Sequence, residues 1–511
     1  MLKLKELARR VYGGEDKALK LLITAAVLCW LPRVFTPLWR DEGITWWIIK
    51  DGWGDALARA LAFQEWSTLY FLLIKAVTFT VKSETLLRLP SLAACAVCAR
   101  AVYLISLRLK DARAGLISAL VFCASGAALM YSNEARPYGL ALALNALGVL
   151  YLIKTVDRGR PADAVLYALF TAAGAYMHLT TVLMLPAHAL YWAWRRFIER
   201  DAAPLSGAAL AGAAALMLPL AVPALSAFSR RDALMFVGQP PLWKLLAYAL
   251  PPDLIAGAAG GLAFFRPVLL DKEGLARVPR SSFALALGLA LLPLLFIFTV
   301  SHLFGVKIWV PRYFVCYELG VALAAGLLLS HVRSAAALKA AAIALTFVSL
   351  AVRGRVYHIN EDWAGAVAYA AAEPAARGAT VLLTSPYVES LHKGWLGDAS
   401  KTGYLSAPLS FYPYGARTVL LPLPHGAYGE AGMADALAGL SGAQAVVLFS
   451  FGDDNYNECL ARSLLLLGLK PLSRHDGRRF PRAAIYVRAV VRRDYKDKAS
   501  GIFYQKPHSV K

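Results

Sequence analysis

Trp39-Arg40-Asp41-Glu42-Gly43 follows directly on the first long apolar run of the chain and places two carboxylates side by side. Acids beside a bilayer are costly, and they are kept there mainly for function. Neighbours in sequence cannot face the same way on a regular helix or strand, so the two acids have different tasks. One carboxylate over a lipid headgroup suits removal of a proton from an incoming hydroxyl, while the other pairs with Arg40 or orders the loop. Four further polar clusters join them: Arg88-Leu89-Pro90-Ser91, Asn133-Glu134-Ala135-Arg136-Pro137-Tyr138, Tyr176-Met177-His178 and Pro311-Arg312-Tyr313. Three arginines, Arg88, Arg136 and Arg312, stand within two residues of a proline. Proline suits a first helical turn, and a helix start favours an anion. A carboxylate base together with arginines that stabilise a departing phosphate makes the chemistry of glycosyl transfer from a lipid phosphate. Phosphate leaves readily, so the second carboxylic acid of glycoside hydrolysis is not required.

Each of these residues also has a plainer reading. An arginine at a helix end snorkels to headgroups, Tyr138 and Tyr313 suit an aromatic belt, and His178 suits an interfacial position. What favours function is that three such arginines lie on the side of the membrane that the positive-inside rule depletes of basic residues. Arg230-Arg231-Asp232 reads equally well as a solvated cluster.

The elements that must position these groups are membrane spans. The chain has 511 residues, 58% hydrophobic and 17% charged, with a mean hydropathy of +0.52, too apolar for an ordinary soluble protein. An apolar run near 19–35 and further runs near 89–107, 114–131, 138–153, 162–177, 179–194, 205–225, 243–265, 283–300, 313–331 and 338–352 predict about eleven transmembrane helices. The run 69–81 is too short to span and reads as a re-entrant or interfacial helix. With the N-terminus in the cytoplasm, the cytoplasmic pieces carry 21 Lys and Arg in 63 residues against 11 in 91 outside. That contrast fixes the orientation. It also explains the net charge of +21 without a nucleic-acid partner, since the basic residues sit in short loops and form no basic face interleaved with aromatics. Cys29, Cys95, Cys98, Cys123 and Cys316 fall in spans, so neither a disulfide framework nor a zinc site is indicated.

After Arg353 no run is long enough to cross a membrane. Residues 1–353 therefore read as a transmembrane domain whose external loop 37–88 carries the catalytic acids, and 354–511 as a soluble extracytoplasmic α/β domain. Its β-rich runs are Thr380–Thr384, Thr418–Leu421, Ala445–Phe449 and Ala484–Val491, alternating with helical candidates Ala364–Ala372 and Cys459–Leu467. A basic polar tail follows Arg492.

Residues 20–200 resemble, in order, the membrane-embedded C-type glycosyltransferases that use polyprenyl-phosphate sugars, the relatives of protein O-mannosyltransferases and bacterial lipid A aminoarabinose transferases. The matching features are a first span, Asp41-Glu42, a short amphipathic helix, the stretch from Ser83 to Ser91, and Tyr131 through Tyr138. The resemblance implies a C-type glycosyltransferase fold, with Asp41 as the base that activates a hydroxyl acceptor and inversion at the sugar carbon. Glu42 would assist acceptor placement or loop order. Arg88, Glu134 and Arg136 would surround the donor phosphate and sugar, with Tyr138, His178 and Arg312 as further donor-side positions. The family's His-Pro-Pro or Lys-Pro-Pro is replaced here by Gln64-Glu65-Trp66-Ser67-Thr68, and the tail has no Trp-Trp-Asp element. No metal ligand set is assigned, because two adjacent acids are too few; a divalent cation stays open. Expected partners are the polyprenyl-phosphate-linked sugar, a hydroxyl acceptor on protein, lipid or glycan, and membrane lipids. The rival readings are a transporter or lipid flippase, which would carry its charges near the midplane, and a non-catalytic member of the same fold.

Overall fold

The computed structural model describes residues 2–229, 238–263, 271–353, 361–372, 378–391, 393–415, 417–422, 437–440, 442–451, 454–471, 478–479 and 486–492. The Arg230-Arg231-Asp232 cluster and the tail beyond Arg492 lie outside these residues. The chain forms two compact units, one of Met1–Thr36 and Asp51–His358, the other of Pro37–Lys50 and Ile359–Lys511.

The first unit is helical. Five helical segments among the described residues are long and apolar enough to cross a membrane: Asp16–Phe35, Glu84–Leu109, Tyr138–Arg158, Leu205–Ser226 and Arg280–Leu303, or six if the bent pair Leu242–Ala249 and Leu254–Ala263 is one span. Eleven apolar runs exceed this number because several runs are interrupted. Run 114–131 breaks at Ser125, whose Oγ accepts the Ala128 N–H at 3.1 Å and starts a second short helix. Runs 162–177 and 179–194 become helix Pro161–Met177, the 3-10 turn Leu179–Met184 and helix Leu185–Ala193. Large apolar side chains such as Leu287, Phe296, Val222 and Leu225 stand exposed on these helices, as contact with lipid tails requires. The protein is therefore a membrane protein.

Close approach of helices in this unit relies on small and polar residues, as it does where lipid supplies no hydrophobic drive. A Cβ on Gly174 would lie 2.3 Å from Asn145 Nδ2, so the bare position makes room for the Asn145 side chain between helices Pro161–Met177 and Tyr138–Arg158. The short run near 69–81 forms helix Thr68–Thr78, 11 residues or about 16 Å long. It ends where Phe79 and Thr80 take left-handed φ values of 49° and 57°. The preceding helix, Trp53–Phe63, is amphipathic: Trp53, Leu57 and Leu61 stand exposed and Ala56, Ala60 and Phe63 are buried.

The second unit is built on a mixed sheet of β1 Thr380–Thr384, β2 Arg417–Leu421, β3 Ala445–Ser450, β4 Leu469–Pro471, β5 Arg478–Arg479 and β6 Tyr486–Arg492. The order is β2-β1-β3-β6-β4, with β5 paired to β6. β1 is parallel to β2 and β3, and β6 runs antiparallel to β3. Both faces of the central strands are buried, which is why these strands read as continuous apolar runs. Val381, Leu383, Val447 and Phe449 pack with Trp363 and Ala366 on one face. Leu382, Val446 and Leu448 pack with Leu460 and Leu464 on the other.

Pro37–Lys50 belongs to this second unit, so the boundary is not a single cut at residue 353. Helix Arg40–Ile49 lies against helix Ala407–Phe411. The Leu38 N–H donates to Tyr412 Oη at 2.8 Å, Trp46 Nε1 donates to the Ser410 carbonyl at 3.2 Å, and the Trp46 ring meets Phe411 edge-on at 5.4 Å. Gly43 allows the approach, because a Cβ there would stand 2.9 Å from both N and Cα of Pro408.

Candidate active site

Asp41 and Glu42 sit in the first turn of helix Arg40–Ile49, and their tasks separate as adjacency requires. Glu42 is fully buried, and its Oε2 accepts the Trp39 N–H at 3.1 Å. This closes the helix start with a carboxylate, where the helix dipole favours negative charge. Asp41 is 9% exposed. Between Trp39 and Asp41, Arg40 is half-buried and held through both main chain and side chain. Its Nε pairs with Glu361 Oε1 at 2.6 Å, its N–H donates to Glu361 Oε2 at 3.2 Å, and its Nη1 donates to the Pro386 carbonyl at 3.1 Å. Tyr387 donates its phenol proton to the Arg40 carbonyl at 2.7 Å, and the guanidinium lies 5.6 Å from the Phe451 ring centroid.

Electrostatics in this group follow from burial. Burial raises the Glu361 carboxyl above its usual range; the Arg40 charge and the Trp363 N–H oppose the rise, and the Asp41 charge adds to it. Burial, helped by Asp41, Tyr404 and Glu361, pushes the Tyr387 phenol well above its usual value, so it stays a donor to Arg40.

In the first unit the structure brings Tyr138, His178 and Arg312 together. Tyr131 stacks on Tyr138 at 5.4 Å, and the His178 ring lies 5.0 Å from Tyr138 and 5.6 Å from Tyr313. Tyr131 donates its phenol proton to the Arg312 carbonyl at 3.4 Å. Thr180 donates its hydroxyl proton to the Tyr313 carbonyl at 3.0 Å, so its oxygen is left to accept from His178 Nδ1 at 2.7 Å. That assigns the proton to Nδ1 and the lone pair to Nε2. Burial first, then the charges of Arg136 and Arg312, lowers the pKa of His178 and keeps its imidazole neutral. Glu134 and Arg136 are buried in the turn before helix Tyr138–Arg158. A neutral acceptor under the charges of the buried Arg136 and the half-buried Arg312, beside a pair of stacked phenols, makes a polar, anion-attracting wall.

Arg88 differs from the expectation. Ser83 caps its helix through the Leu86 N–H, at 3.3 Å, so the helix starts at Glu84 and Pro90 lies inside it. Arg88 is fully buried, and its Nη1 donates to the carbonyls of Arg33, Val34 and Thr36 and to Thr36 Oγ1, at 3.5 Å, 3.2 Å and 3.2 Å for Arg33, Val34 and the hydroxyl. It thus holds the carbonyl ends of the 3-10 turn Leu31–Phe35. Arg312 lies in the 3-10 turn Pro311–Tyr313, ahead of helix Tyr317–Leu329, so Pro137 alone of the three prolines stands immediately before a long helix. Glu361 and Tyr387 were not visible to sequence reasoning: Glu361 is 321 positions from Arg40, and no local pattern joins them. The neighbouring Asp362 caps helix Trp363–Ala371 through the Gly365 N–H at 2.7 Å. Among the described residues no three His, Cys, Asp or Glu side chains gather as a metal ligand set.

Residues 62–226 match the family described as dolichyl-phosphate-mannose-protein mannosyltransferase. No curated protein matches by sequence. Among solved structures, the chain is similar to ArnT from Cupriavidus metallidurans. With undecaprenyl phosphate bound, that protein gives a TM-score of 0.52 at 13% identity; in the apo state it gives 0.53 at 12%. Each comparison covers 92% of this chain and 97% of that one. The resemblance to the membrane-embedded C-type glycosyltransferases is therefore borne out, by a mannosyltransferase pattern through residues 62–226 and by the fold of an ArnT through most of the chain.

Proposed function

We propose that this protein is an inverting glycosyltransferase that moves one sugar from a polyprenyl-phosphate donor to a hydroxyl acceptor at the outer face of a cell membrane. The observation that carries this is the division of labour among the three acids around Arg40. Glu42 is bound to the start of its own helix, Glu361 is bound to Arg40, and at 0% and 1% exposure neither is open to substrate, whereas Asp41 is 9% exposed. Asp41 accepts the proton of the acceptor hydroxyl, whose oxygen forms the new bond to the anomeric carbon as the bond from that carbon to the phosphate oxygen breaks. The electron pair leaves with polyprenyl phosphate, and attack opposite the leaving group inverts the carbon. Arg136 and Arg312 counter the negative charge of the phosphate, and the bare His178 Nε2 accepts a hydroxyl proton of the sugar. Arg88 acts on the protein's own carbonyls.

In this reading the eleven apolar runs cross the membrane with the N-terminus in the cytoplasm and the second unit outside, and acceptor choice belongs to that unit. The undecaprenyl phosphate bound in the ArnT structure of similar fold supports a lipid-linked donor. The test is release of free polyprenyl phosphate by the purified protein in lipid, offered a panel of polyprenyl-phosphate sugars and envelope acceptors. Absence of release with every donor, and of donor binding, would point to a transporter or a non-catalytic relative.

A further inference from the structure

We propose that Glu361 is a positioning residue for Asp41, fixing Arg40, the residue before it, by main chain and side chain so that the first turn of helix Arg40–Ile49 presents the carboxylate in one orientation. This inference rests on Asp41 being the base of the proposed transfer. Arg40, the residue just before Asp41, is bound at its nitrogen, its carbonyl and its side chain by residues from distant parts of the second unit. Glu361 supplies two of these bonds, one from each oxygen. It is itself held by the Trp363 indole N–H, which donates to Oε2 at 3.0 Å, and Trp363 is fully buried against the sheet beside Phe449. On the other side of Asp41, Glu42 binds back to Trp39. Asp41 is therefore flanked by two anchored residues, and the Glu361 carboxylate supplies the charged part of that anchoring beside the neutral bond from Tyr387.

A merely stabilising ion pair would not need this form. Burying a carboxylate is costly, and an apolar pair of similar volume is often at least as stable. What the pair adds is direction: its two oxygens bind the backbone N–H and the guanidinium of Arg40, which fixes the Trp39–Arg40 peptide plane, while Tyr387 holds the carbonyl of the peptide that follows. Groups that orient a reactive ligand from behind typically change activity by roughly 10- to 100-fold when removed.

The experiment compares the wild type with Glu361→Gln and Tyr387→Phe in the full-length protein, reconstituted in lipid. Gln keeps the size and an acceptor oxygen but loses the charge opposite Arg40. Expected for Glu361→Gln is a fall in kcat of about 10-fold or more with the donor KM within about twofold, while Tyr387→Phe, losing one bond to Arg40, falls less. Hydrogen exchange at the amides of residues 41–45 should quicken in Glu361→Gln and stay unchanged in β3. Wild-type turnover and wild-type exchange in both variants would overturn the inference, as would a loss carried by KM. The exchange comparison does not depend on turnover: if the wild type releases no polyprenyl phosphate, the transferase reading fails while the anchoring is still measured. If Glu361→Gln does not fold, Tyr387→Phe decides by the same two readouts.

Discussion

Replacing Gly43 with alanine sets two known effects against each other at the turn that carries Asp41. Inside a helix, alanine is favoured over glycine by about 1 kcal/mol, so propensity alone makes Gly43→Ala stabilising. The structure gives the opposite sign. The new Cβ would stand 2.9 Å from Pro408 N and Cα and 3.2 Å from the Ala407 carbonyl carbon, all main-chain atoms that cannot rotate away. Carbon atoms prefer roughly 3.5–4.0 Å, so helix Arg40–Ile49 or helix Ala407–Phe411 must shift by at least about 0.6 Å. Such overpacking costs typically 1–3 kcal/mol, leaving the variant destabilised by about 0–2 kcal/mol after the propensity gain. The greater effect is on turnover, because a displacement approaching 1 Å of a catalytic group costs on the order of 100-fold. Thermal melting in lipid and release of polyprenyl phosphate give the two readings. A Gly43→Ala protein that melts higher than wild type and turns over normally would refute the close approach of these helices.

Other substitutions separate the roles of the charged residues. Arg88→Lys keeps the charge, but the shorter side chain ends before the position of Nη1 and cannot take up its bonds to the carbonyls of Arg33, Val34 and Thr36 without a shift, so a loss of roughly 2–5 kcal/mol in stability is expected, read as a fall in melting temperature. Glu42→Gln should cost about 0.5–1 kcal/mol through the weakened helix start, with turnover retained well above that of an Asp41 variant. The raised pKa of Glu361 means that the folded protein binds its proton more tightly than the unfolded chain. Between the unfolded value near 4.3 and the higher folded value, this group makes stability fall as pH rises. Glu361→Gln should flatten that slope in melting temperature against pH, and an unchanged slope would assign it to other groups.

What the sequence disclosed and what it hid follow from the range of the interactions. Buried strands show locally, since two-sided burial demands a continuous apolar run: Thr380–Thr384 is found as expected, and Ala445–Ser450 differs from the expected strand by one residue. Edge strands Leu469–Pro471 and Arg478–Arg479 are too short to leave such a signal. The acid pair was legible because adjacent carboxylates after an apolar run are rare and costly. That Glu42 caps its helix was hidden by Trp39 at the position where a capping box carries serine or threonine. The anchoring of Arg40 by Glu361 and Tyr387 was hidden by separation alone, at 321 and 347 positions. Arg88 looked like a phosphate ligand because a proline follows it, yet Ser83 starts the helix earlier and turns that arginine to the carbonyls of residues 33–36.

The most direct test of the proposed transfer is turnover of the Asp41→Asn protein, reconstituted in lipid with the donor that wild type uses. Asparagine keeps the shape and removes the proton acceptor, so release of polyprenyl phosphate should fall by at least 100-fold, with donor binding and melting temperature close to wild type. Release at the wild-type rate from a folded, donor-binding Asp41→Asn protein would contradict Asp41 as the base.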